Sequence, residues 1–387
     1  MAGLKILICG GGCAGPALAY WLARSGHQVT IVERFPALRT TGAQIDIRAQ
    51  GIQVLKRMGL LDIIRRKLVD EAGVALVDSQ GNIKATVLAN KSGQRSAVAN
   101  LRIRDHAWGS GVTVHFSDGQ IRRYDMLVGA DGQGSRIRKA ILPSHNTDPI
   151  KRLGLYLAYW FVPRAETDTN IRKVYHTPSA IIMSRTHSPT HGQAYFSLRT
   201  DDNNHSDNEE MRSLPRASTE TQQKFWSQRF RGAGWQTDRL LDGMSKTENF
   251  YCQEAIQIHT NTWSQGGHVV LLGDAAYCPS PITGMGTTGA FVGAYVLAGE
   301  ITRHHQNLAL AFAEYDRTLR PFVDEMQKFS PMLLRLGYPQ TQWGITVLRW
   351  VVVVLCFFRV PDLIARVSPA EKGGWRLPEY PELKYSV

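Results

Sequence analysis

Short apolar runs bounded by glycine alternate with stretches of helical periodicity at the start of the chain. Lys5 to Cys9 is such a run and predicts a buried parallel strand. Apolar residues then recur at helical spacing from Ala14 to Ser25, and Gln28 to Glu33 predicts a second strand that ends in an acid. This order of strand, turn, helix and strand is typical of an α/β fold that begins with a Rossmann-like domain.

The middle of the chain has a different pattern, in which runs rich in tyrosine, phenylalanine, valine and isoleucine are separated by turn residues. These runs predict the strands of an antiparallel sheet: Leu155 to Val162, Arg172 to His176, Ala180 to Arg185 and Gln193 to Arg199. Thr219 to Arg231 predicts a helix beside them. We therefore expect a Rossmann-like domain interleaved with an antiparallel-sheet substrate domain, followed by C-terminal helices.

The same patterns predict a discontinuous domain organisation. Residues 1–74, 102–148 and 262–330 are assigned to the Rossmann-like domain, and residues 75–101 and 149–261 to the antiparallel domain. Residues 331–387 form a C-terminal helical region in this prediction.

Two apolar segments lie near the C-terminus. Pro321 to Leu336 predicts one helix, and Ile345 to Phe358 is strongly apolar with Arg349 inside it. The second segment is too short for a transmembrane helix, which needs about 20 apolar residues. Three interpretations remain: a helix packed on the Rossmann-like domain, which we favour, a membrane-surface anchor, or a flap over a substrate entrance.

The glycine-rich turn after the first strand predicts a dinucleotide site. Gly10 permits the tight turn, Gly12 lets the backbone approach a pyrophosphate, and Gly15 lets helix and strand pack closely. The N-terminus of the following helix supplies amide donors for phosphate. Glu33 falls where the ligand of a ribose hydroxyl belongs.

A second turn, near residue 274, favours a flavin dinucleotide over a nicotinamide one. Gly266 to Leu272 predicts a strand that delivers Asp274 at its C-terminal end, where ligands bind in such sheets. A carboxylate repels phosphate but accepts hydrogen bonds from a polyol such as a ribityl chain. The glycines beyond Pro281 keep the backbone close to a flat ring, and the helix Gly289 to Arg303 would stabilise negative charge on that ring.

These two turns and the segment Tyr124 to Arg138 resemble the three signature motifs of the class A flavoprotein monooxygenases, within them the tetracycline-inactivating and fungal secondary-metabolite branch. The resemblance covers nearly the whole chain. It implies the p-hydroxybenzoate hydroxylase fold, bound FAD, reduction by NAD(P)H, and insertion of one oxygen atom from O2 into a hydrophobic small molecule. In such an enzyme positioning and exclusion of water carry the reaction, so no side chain is obligatory as an acid or base.

The resemblance also implies the site residues. The cofactor-binding set is Gly10, Gly12, Gly15, Glu33, Arg34, Arg48, Asp131, Gly132, Asp274, Pro281, Gly284 and Gly286. Arg48, Lys173, Tyr175 and Tyr195 are the candidates for the catalytic pocket, with packing or solvent exposure as the alternative for each.

One departure from the family pattern lies between Asn90 and Ser110, where relatives carry an arginine-bearing helix and a further strand. This crossover is absent here, which indicates a deletion near 90–110. A faulty gene model, a weakened flavoprotein and a scaffold recruited for flavin-independent chemistry remain as explanations. The alternative functions are therefore a non-redox cyclase or isomerase, with FAD lost or structural, and a non-catalytic remnant.

The amino-acid composition indicates which partners and which compartment suit this chain. The chain has 387 residues, 45 basic against 33 acidic, and a formal net charge of +12, but no nucleic-acid motif accompanies the excess. Its five cysteines have no CxxC spacing, so we expect no metal site and a reducing, cytoplasmic environment. Membrane association through the C-terminal apolar helix remains an alternative to a wholly cytoplasmic location.

Overall fold

The computed structural model describes residues 3–35, 47–66, 71–88, 108–109, 111–116, 119–142, 148–200, 205–358, 360 and 374–383. Most of the segment with the predicted deletion, Asn90 to Ser110, lies outside these residues, so that prediction stays a prediction.

A five-stranded sheet forms the centre of the first half of the fold. Its strands are β1 (Lys5–Cys9), β2 (Gln28–Val32), β8 (Met126–Gly129), β14 (Ser264–Gln265) and β15 (Val269–Leu271). Their order is β14-β15-β8-β1-β2, with parallel pairing throughout except at the edge strand β14. Helices cover this sheet, and β8 and β15 are buried along their whole length, as expected for continuous apolar runs.

A seven-stranded sheet forms the second half. Its strands are β3 (Gly73–Val77), β4 (Ile83–Leu88), β9 (Ile150–Pro163), β10 (Ile171–Thr177), β11 (Ala180–Thr186), β12 (His191–Arg199) and β13 (Tyr251–Ile258). The order is β13-β9-β12-β11-β10-β3-β4, and only β10 and β3 pair in parallel. A small antiparallel sheet of β5 (Trp108–Gly109), β6 (Gly111–His115) and β7 (Ile121–Tyr124) completes the strands. The mixed α/β prediction is confirmed.

The α-helices of the described residues are α1 (Ala14–Arg24), α2 (Gln50–Arg57), α3 (Leu61–Arg65), α4 (Arg136–Ile141), α5 (His205–Ser213), α6 (Thr219–Phe230), α7 (Thr237–Met244), α8 (Asp274–Tyr277), α9 (Gly286–Arg303), α10 (Leu308–Met326), α11 (Pro331–Gly337) and α12 (Gln342–Phe357). The central one is α9, which packs against α1, α2 and α10. The segment 374–383 closes over it, where the buried Tyr380 hydroxyl donates to Glu300 Oε1 over 2.6 Å.

The prediction of one helix from Pro321 to Leu336 is wrong. Pro321 lies inside α10, which continues to Met326, and a new helix begins at Pro331. The Ser330 side chain accepts from the backbone N–H of Leu333 and so caps the new helix. Proline is favoured at the first position of a helix because its missing N–H would have no partner there.

The favoured packing of the apolar C-terminal segment is also wrong. α12 lies against β4 and β10 of the seven-stranded sheet instead of the Rossmann-like half. Ile345 is its one buried residue. Among the described residues, no single helix is long and apolar enough to cross a membrane. The segments Leu308–Gly337 and Gln342–Phe357 pass that test only as a pair, which is bent by 115°.

Candidate cofactor and substrate site

Three parallel strands bring the predicted motifs to one edge of the five-stranded sheet. Cys9 pairs with Gly129, and Gly129 pairs with Leu271, so β1, β8 and β15 end side by side. The glycine-rich turn, the Asp131 turn and the Asp274 turn follow these three residues directly. We call the three turns the cofactor edge.

The three glycines of the first turn have different surroundings. A Cβ atom at Gly10 would lie 2.2 Å from the Ala130 carbonyl oxygen, and one at Gly15 would lie 2.0 Å from the Gly10 carbonyl oxygen. A Cβ at Gly12 would meet no protein atom within 4 Å. Packing therefore explains Gly10 and Gly15, whereas Gly12 borders open space. Because α1 also begins without a side-chain cap or an acidic residue, the turn fits a pyrophosphate.

Glu33 reaches this turn from the end of β2. Its Oε2 accepts from the backbone N–H of Gly11 over 2.7 Å, and its Oε1 accepts from the N–H of Phe35 over 3.2 Å. The neighbouring Arg34 guanidinium lies 4.9 Å from the Phe35 ring centroid. The carboxylate thus orders the turn, and its predicted bond to a ribose hydroxyl stays a prediction.

Asp131 caps α4 with its carboxylate. Oδ1 accepts from the Ser135 hydroxyl over 2.5 Å, and Oδ2 accepts from the backbone N–H of Arg136 over 2.8 Å. Gly132 has a φ of +81° and, like Gly12, open space where a Cβ would lie. Asp131 therefore holds the turn in shape, and Gly132 leaves room for a ligand.

Arg138 joins two of the turns and was given no role in the sequence analysis. It is 1% exposed; Nη1 donates to the Ala275 carbonyl over 2.9 Å and Nη2 to the Gln133 carbonyl over 2.6 Å. Burial lowers the pKa of Arg138, while the nearby Asp131 and Asp274 carboxylates oppose that shift. The sequence signal for a role of Arg138 was its position at the end of the motif Tyr124 to Arg138. Its hydrogen bond to Ala275 could not be predicted from that motif, because Ala275 lies 137 residues away.

Asp274 follows β15 through Gly273, which has a φ of +64°. Burial raises the pKa of Asp274, and a hydrogen bond with Cys278 and the charge of Arg138 act in the opposite direction. A Cβ at Gly286 would lie 3.7 Å from Asp274 Oδ1, so the carboxylate sits beside the start of α9. The structure thus brings Asp274 together with Gly286 of the predicted loop of Pro281, Gly284 and Gly286.

The start of α9 also contacts Arg48. The Arg48 backbone N–H donates to Thr288 Oγ1 over 3.0 Å, while the Arg48 side chain is exposed. The next residue, Ala49, has a φ of +41°, which is strained for a residue with a side chain. α9 has neither a side-chain cap nor an acid in its first turn, so its N-terminus is suited to negative charge.

Of the three pocket candidates in the seven-stranded sheet, two lie on one face and the third on the other. Tyr175 packs in the core with Trp226 and Phe230 of α6, and its hydroxyl donates to the Ala233 carbonyl over 2.7 Å. Lys173, two residues away, shares that face, and its Nζ donates to the Thr167 carbonyl. Tyr195 points to the opposite face, so the three cannot line one pocket.

The face of Tyr195 carries a continuous row of side chains across six strands. Directly paired residues make up this row: Tyr251, Tyr159, Tyr195, Met183, Val174 and Leu76. Four members, all but Tyr159 and Leu76, are partly accessible, whereas the adjacent row on the other face, from Cys252 to Val77, is at most 8% exposed. The Tyr251 and Tyr159 rings stack at 5.1 Å. We call this set the tyrosine row; sequence reasoning found only Tyr195 in it.

Known proteins match the chain over nearly its whole length. The family model described as "FAD binding domain" matches residues 3–105 and 109–329. FAD-dependent monooxygenase asL4 of Sarocladium schorii is 33% identical over 434 aligned positions, which cover 99% of each chain. Flavin-dependent monooxygenase eupH of a Phoma species is 35% identical, with 90% of this chain and 91% of its own length covered.

A similar solved structure is that of tetracycline destructase Tet(55), with a TM-score of 0.79 and 25% identity; the match covers 98% of this chain and 99% of that one. The interruption of the family match, at residues 106–108, falls inside the segment where the sequence predicts a deletion. The asL4 alignment is longer than this chain, so the relative has residues without a counterpart here.

Proposed function

The chain belongs to the FAD-dependent monooxygenases, and from that premise we propose that it inserts one oxygen atom of O2 into a hydrophobic small molecule of secondary-metabolite type, with NAD(P)H as reductant. The observation that carries the proposal is the cofactor edge, where three turns distant in sequence meet at the ends of adjacent parallel strands. Peripheral membrane contact through the C-terminal apolar helix is part of the same proposal.

The residues of the cofactor edge divide between the two ends of FAD. The open side of Gly12 and the N-terminus of α1 would hold the pyrophosphate, with Glu33 and Arg34 at the adenosine. Asp274 would accept from the ribityl hydroxyls. The backbone at Pro281, Gly284 and Gly286 would lie along the ring, and Arg48, Asp131 and Gly132 would face the approach of the nicotinamide.

FAD, when bound, supplies the electron transfer and the activation of O2. The protein's own contribution is positioning and electrostatics. The uncapped N-terminus of α9 would stabilise negative charge beside it, in a setting that Thr288 and Arg48 keep fixed. We assign no side chain as an obligatory proton donor or acceptor.

The tyrosine row supports the substrate class. It offers aromatic and aliphatic surface with few polar atoms, which suits a flat hydrophobic molecule. Gln193 and Gln253 flank it: the Tyr195 hydroxyl donates to Gln193 Oε1 over 2.5 Å, and Gln253 Nε2 donates to the Tyr159 hydroxyl over 3.2 Å. Tyr195 therefore stays in the proposed pocket, while Lys173 and Tyr175 face away from this row.

The domain boundaries belong to the same proposal. All strands of the five-stranded sheet fall within residues 1–74, 102–148 and 262–330. The strands of the seven-stranded sheet fall within 73–88 and 150–258, close to the proposed substrate domain.

The deciding experiment is the flavin content of the purified protein. We expect an oxidised-flavin absorbance spectrum that NADPH or NADH bleaches without oxygen. Asp274→Ala should lower the FAD retained after desalting, whereas Asp242→Ala, which changes an exposed carboxylate paired with Arg231, should not. A colourless, folded protein that cannot be reconstituted with FAD would contradict the proposal.

A further inference from the structure

The outer side of α12 is apolar and faces away from the protein. Its residues recur at helical spacing and are 40–77% exposed: Trp343, Val347, Trp350, Val351, Val354 and Phe358, the last just past the helix end. The one charged residue of α12, Arg349, is half-buried on the inner side, where its charge contributes to lowering the pKa of His176 in β10. α12 therefore turns apolar residues outward and its charged residue inward, which is the opposite of the arrangement expected for a helix at a water-facing surface.

The apolar surface extends onto α11. Met332, Leu333 and Leu336 are 70%, 68% and 58% exposed. An open groove of about 790 Å³ runs between the two helices and is lined by Leu336 together with Trp343, Val347 and Val351 of α12. The two helices thus form one continuous apolar patch, which we call the α11–α12 surface. Patches of this kind on a single chain mark an interaction site.

The chain segment that forms this surface carries only basic charges, while the exposed Asp324 and Glu325 lie just before it and Asp324 borders the same cleft as Leu333. Residues 326–361 contain Lys328, Arg335, Arg349 and Arg359 and no aspartate or glutamate. Lys328 and Arg335 are exposed at α11. The whole chain adds to this field with its formal net charge of +12. A partner that covers the surface must therefore be apolar where it meets the tryptophans and anionic around them.

An anionic bilayer meets both conditions, and a second copy of the chain does not. A two-fold interface would add the basic residues of a second copy around the same apolar patch, which costs electrostatic free energy. A spanning arrangement is disfavoured because α12 has 16 residues, fewer than the about 20 that a transmembrane helix needs, and the segment before it, Leu308–Gly337, is bent by 115° relative to it. Tryptophan, phenylalanine and arginine around a short apolar helix are typical of one that lies in the membrane interface.

We infer that the α11–α12 surface docks in the plane of an anionic lipid bilayer, with Trp343, Trp350 and Phe358 in the headgroup region. The inference rests on the membrane contact in the proposed function and gives it a lipid chemistry and an orientation. It also places the groove between α11 and α12 against the leaflet in which hydrophobic molecules dissolve.

Vesicle sedimentation tests the inference. The full-length protein should sediment with phosphatidylcholine vesicles that contain about 30% phosphatidylserine and bind vesicles of phosphatidylcholine alone more weakly. Raising NaCl from about 0.1 M to about 0.5 M should reduce this binding, because salt shortens the range of the attraction. Tryptophan emission should shift to the blue on binding. Protein that stays in the supernatant with both kinds of vesicle would overturn the inference.

Single substitutions locate the contact. Trp350→Glu should abolish sedimentation, and Arg335→Glu should weaken binding to anionic vesicles at least about fivefold. Ile121→Glu, at a residue 63% exposed on β7, is the matched control and should bind as the unchanged protein does. If Trp350→Glu binds equally well, the surface is not the one that docks. If light scattering instead shows a dimer that Trp350→Glu dissociates, a second copy covers the surface and the inference fails.

The same samples separate this inference from the flavin proposal. Flavin absorbance and NAD(P)H-dependent bleaching are measured without vesicles, so a failure of sedimentation leaves the flavin result unchanged. Trp350→Glu should retain the circular dichroism and flavin content of the parent protein, because the side chain is 66% exposed.

Discussion

The cofactor edge and the α11–α12 surface differ in which side chains they bury and which they expose. At the cofactor edge a charged guanidinium is 1% exposed and hydrogen-bonded to two backbone carbonyls, and the apolar residues around it are enclosed. On the α11–α12 surface two tryptophans are 66% and 77% exposed, and the one arginine of α12 is turned inward. The first region is completed within the chain apart from the space beside Gly12 and Gly132. The second leaves large apolar side chains exposed.

Arg138 offers the strongest test of the enclosed region. Arg138→Ala leaves the Ala275 and Gln133 carbonyls without their donor inside the protein, and bonds to a charged donor contribute about 1.5–3 kcal/mol each. We expect the free energy of unfolding, measured in urea, to fall by about 3 kcal/mol or more. Arg136→Ala, two residues away and exposed, should change it by less than about 0.5 kcal/mol. Equal effects would mean that the two turns are not held by Arg138.

His176 probes the inner side of α12. Burial, followed by the charge of Arg349, lowers the pKa of His176 from 6.5 to about 4. The unfolded chain therefore binds a proton below pH 6.5 that the folded chain binds only near pH 4. Stability present above pH 6.5 should be lost as the pH falls toward 4, by about 3 kcal/mol in total from this residue.

The measurement is urea unfolding across that pH range. His176→Gln should flatten the curve, and His191→Asn, at the exposed first residue of β12, is the control. A slope that survives His176→Gln would place the titrating group elsewhere.

Substitutions at Gly15 and Gly12 distinguish a glycine required by packing from a glycine required by ligand space within the same turn. Gly15→Ala places a methyl group 2.0 Å from a carbonyl oxygen and should cost about 1–3 kcal/mol of stability in the apoprotein. Gly12→Ala meets no protein atom, so we expect unchanged apoprotein stability and lower FAD content after desalting. If Gly12→Ala retains FAD fully, the open space beside it is not the pyrophosphate site.

The turns and strands that depend on local backbone conformation were predictable from the sequence. The turn at Gly10 and the parallel order of β1 and β2 follow from local patterns of apolar residues and glycine, whereas the strand predicted from Gly266 to Leu272 is confined to Val269–Leu271. Arg138 was missed because its role depends on a carbonyl 137 residues away.

The predictions for Lys173 and Tyr175 and for α12 share one difficulty. Lys173, Tyr175 and Tyr195 were predicted together because a sheet of this kind lines the substrate pocket in the family that the chain resembles. Both faces of the seven-stranded sheet carry apolar residues, so alternation along a strand does not tell which face borders a pocket. α12 was expected to pack on the Rossmann-like domain because its segment is strongly apolar. In both cases the missing information is what covers the face, which a sequence pattern does not carry.

The prediction with the smallest expected change in the free energy of unfolding distinguishes the two regions most clearly. Trp350→Gln removes the largest kind of apolar side chain, which in a core would cost several kcal/mol. At a position 66% exposed, the same change should alter the free energy of unfolding by less than about 0.5 kcal/mol in the absence of lipid. Ile345→Ala, at the one buried residue of the same helix, should cost about 2–5 kcal/mol and confirms that the assay detects loosening of α12. A large loss with Trp350→Gln would mean that this tryptophan packs against its own chain in solution, and the apolar face would then need no membrane to cover it.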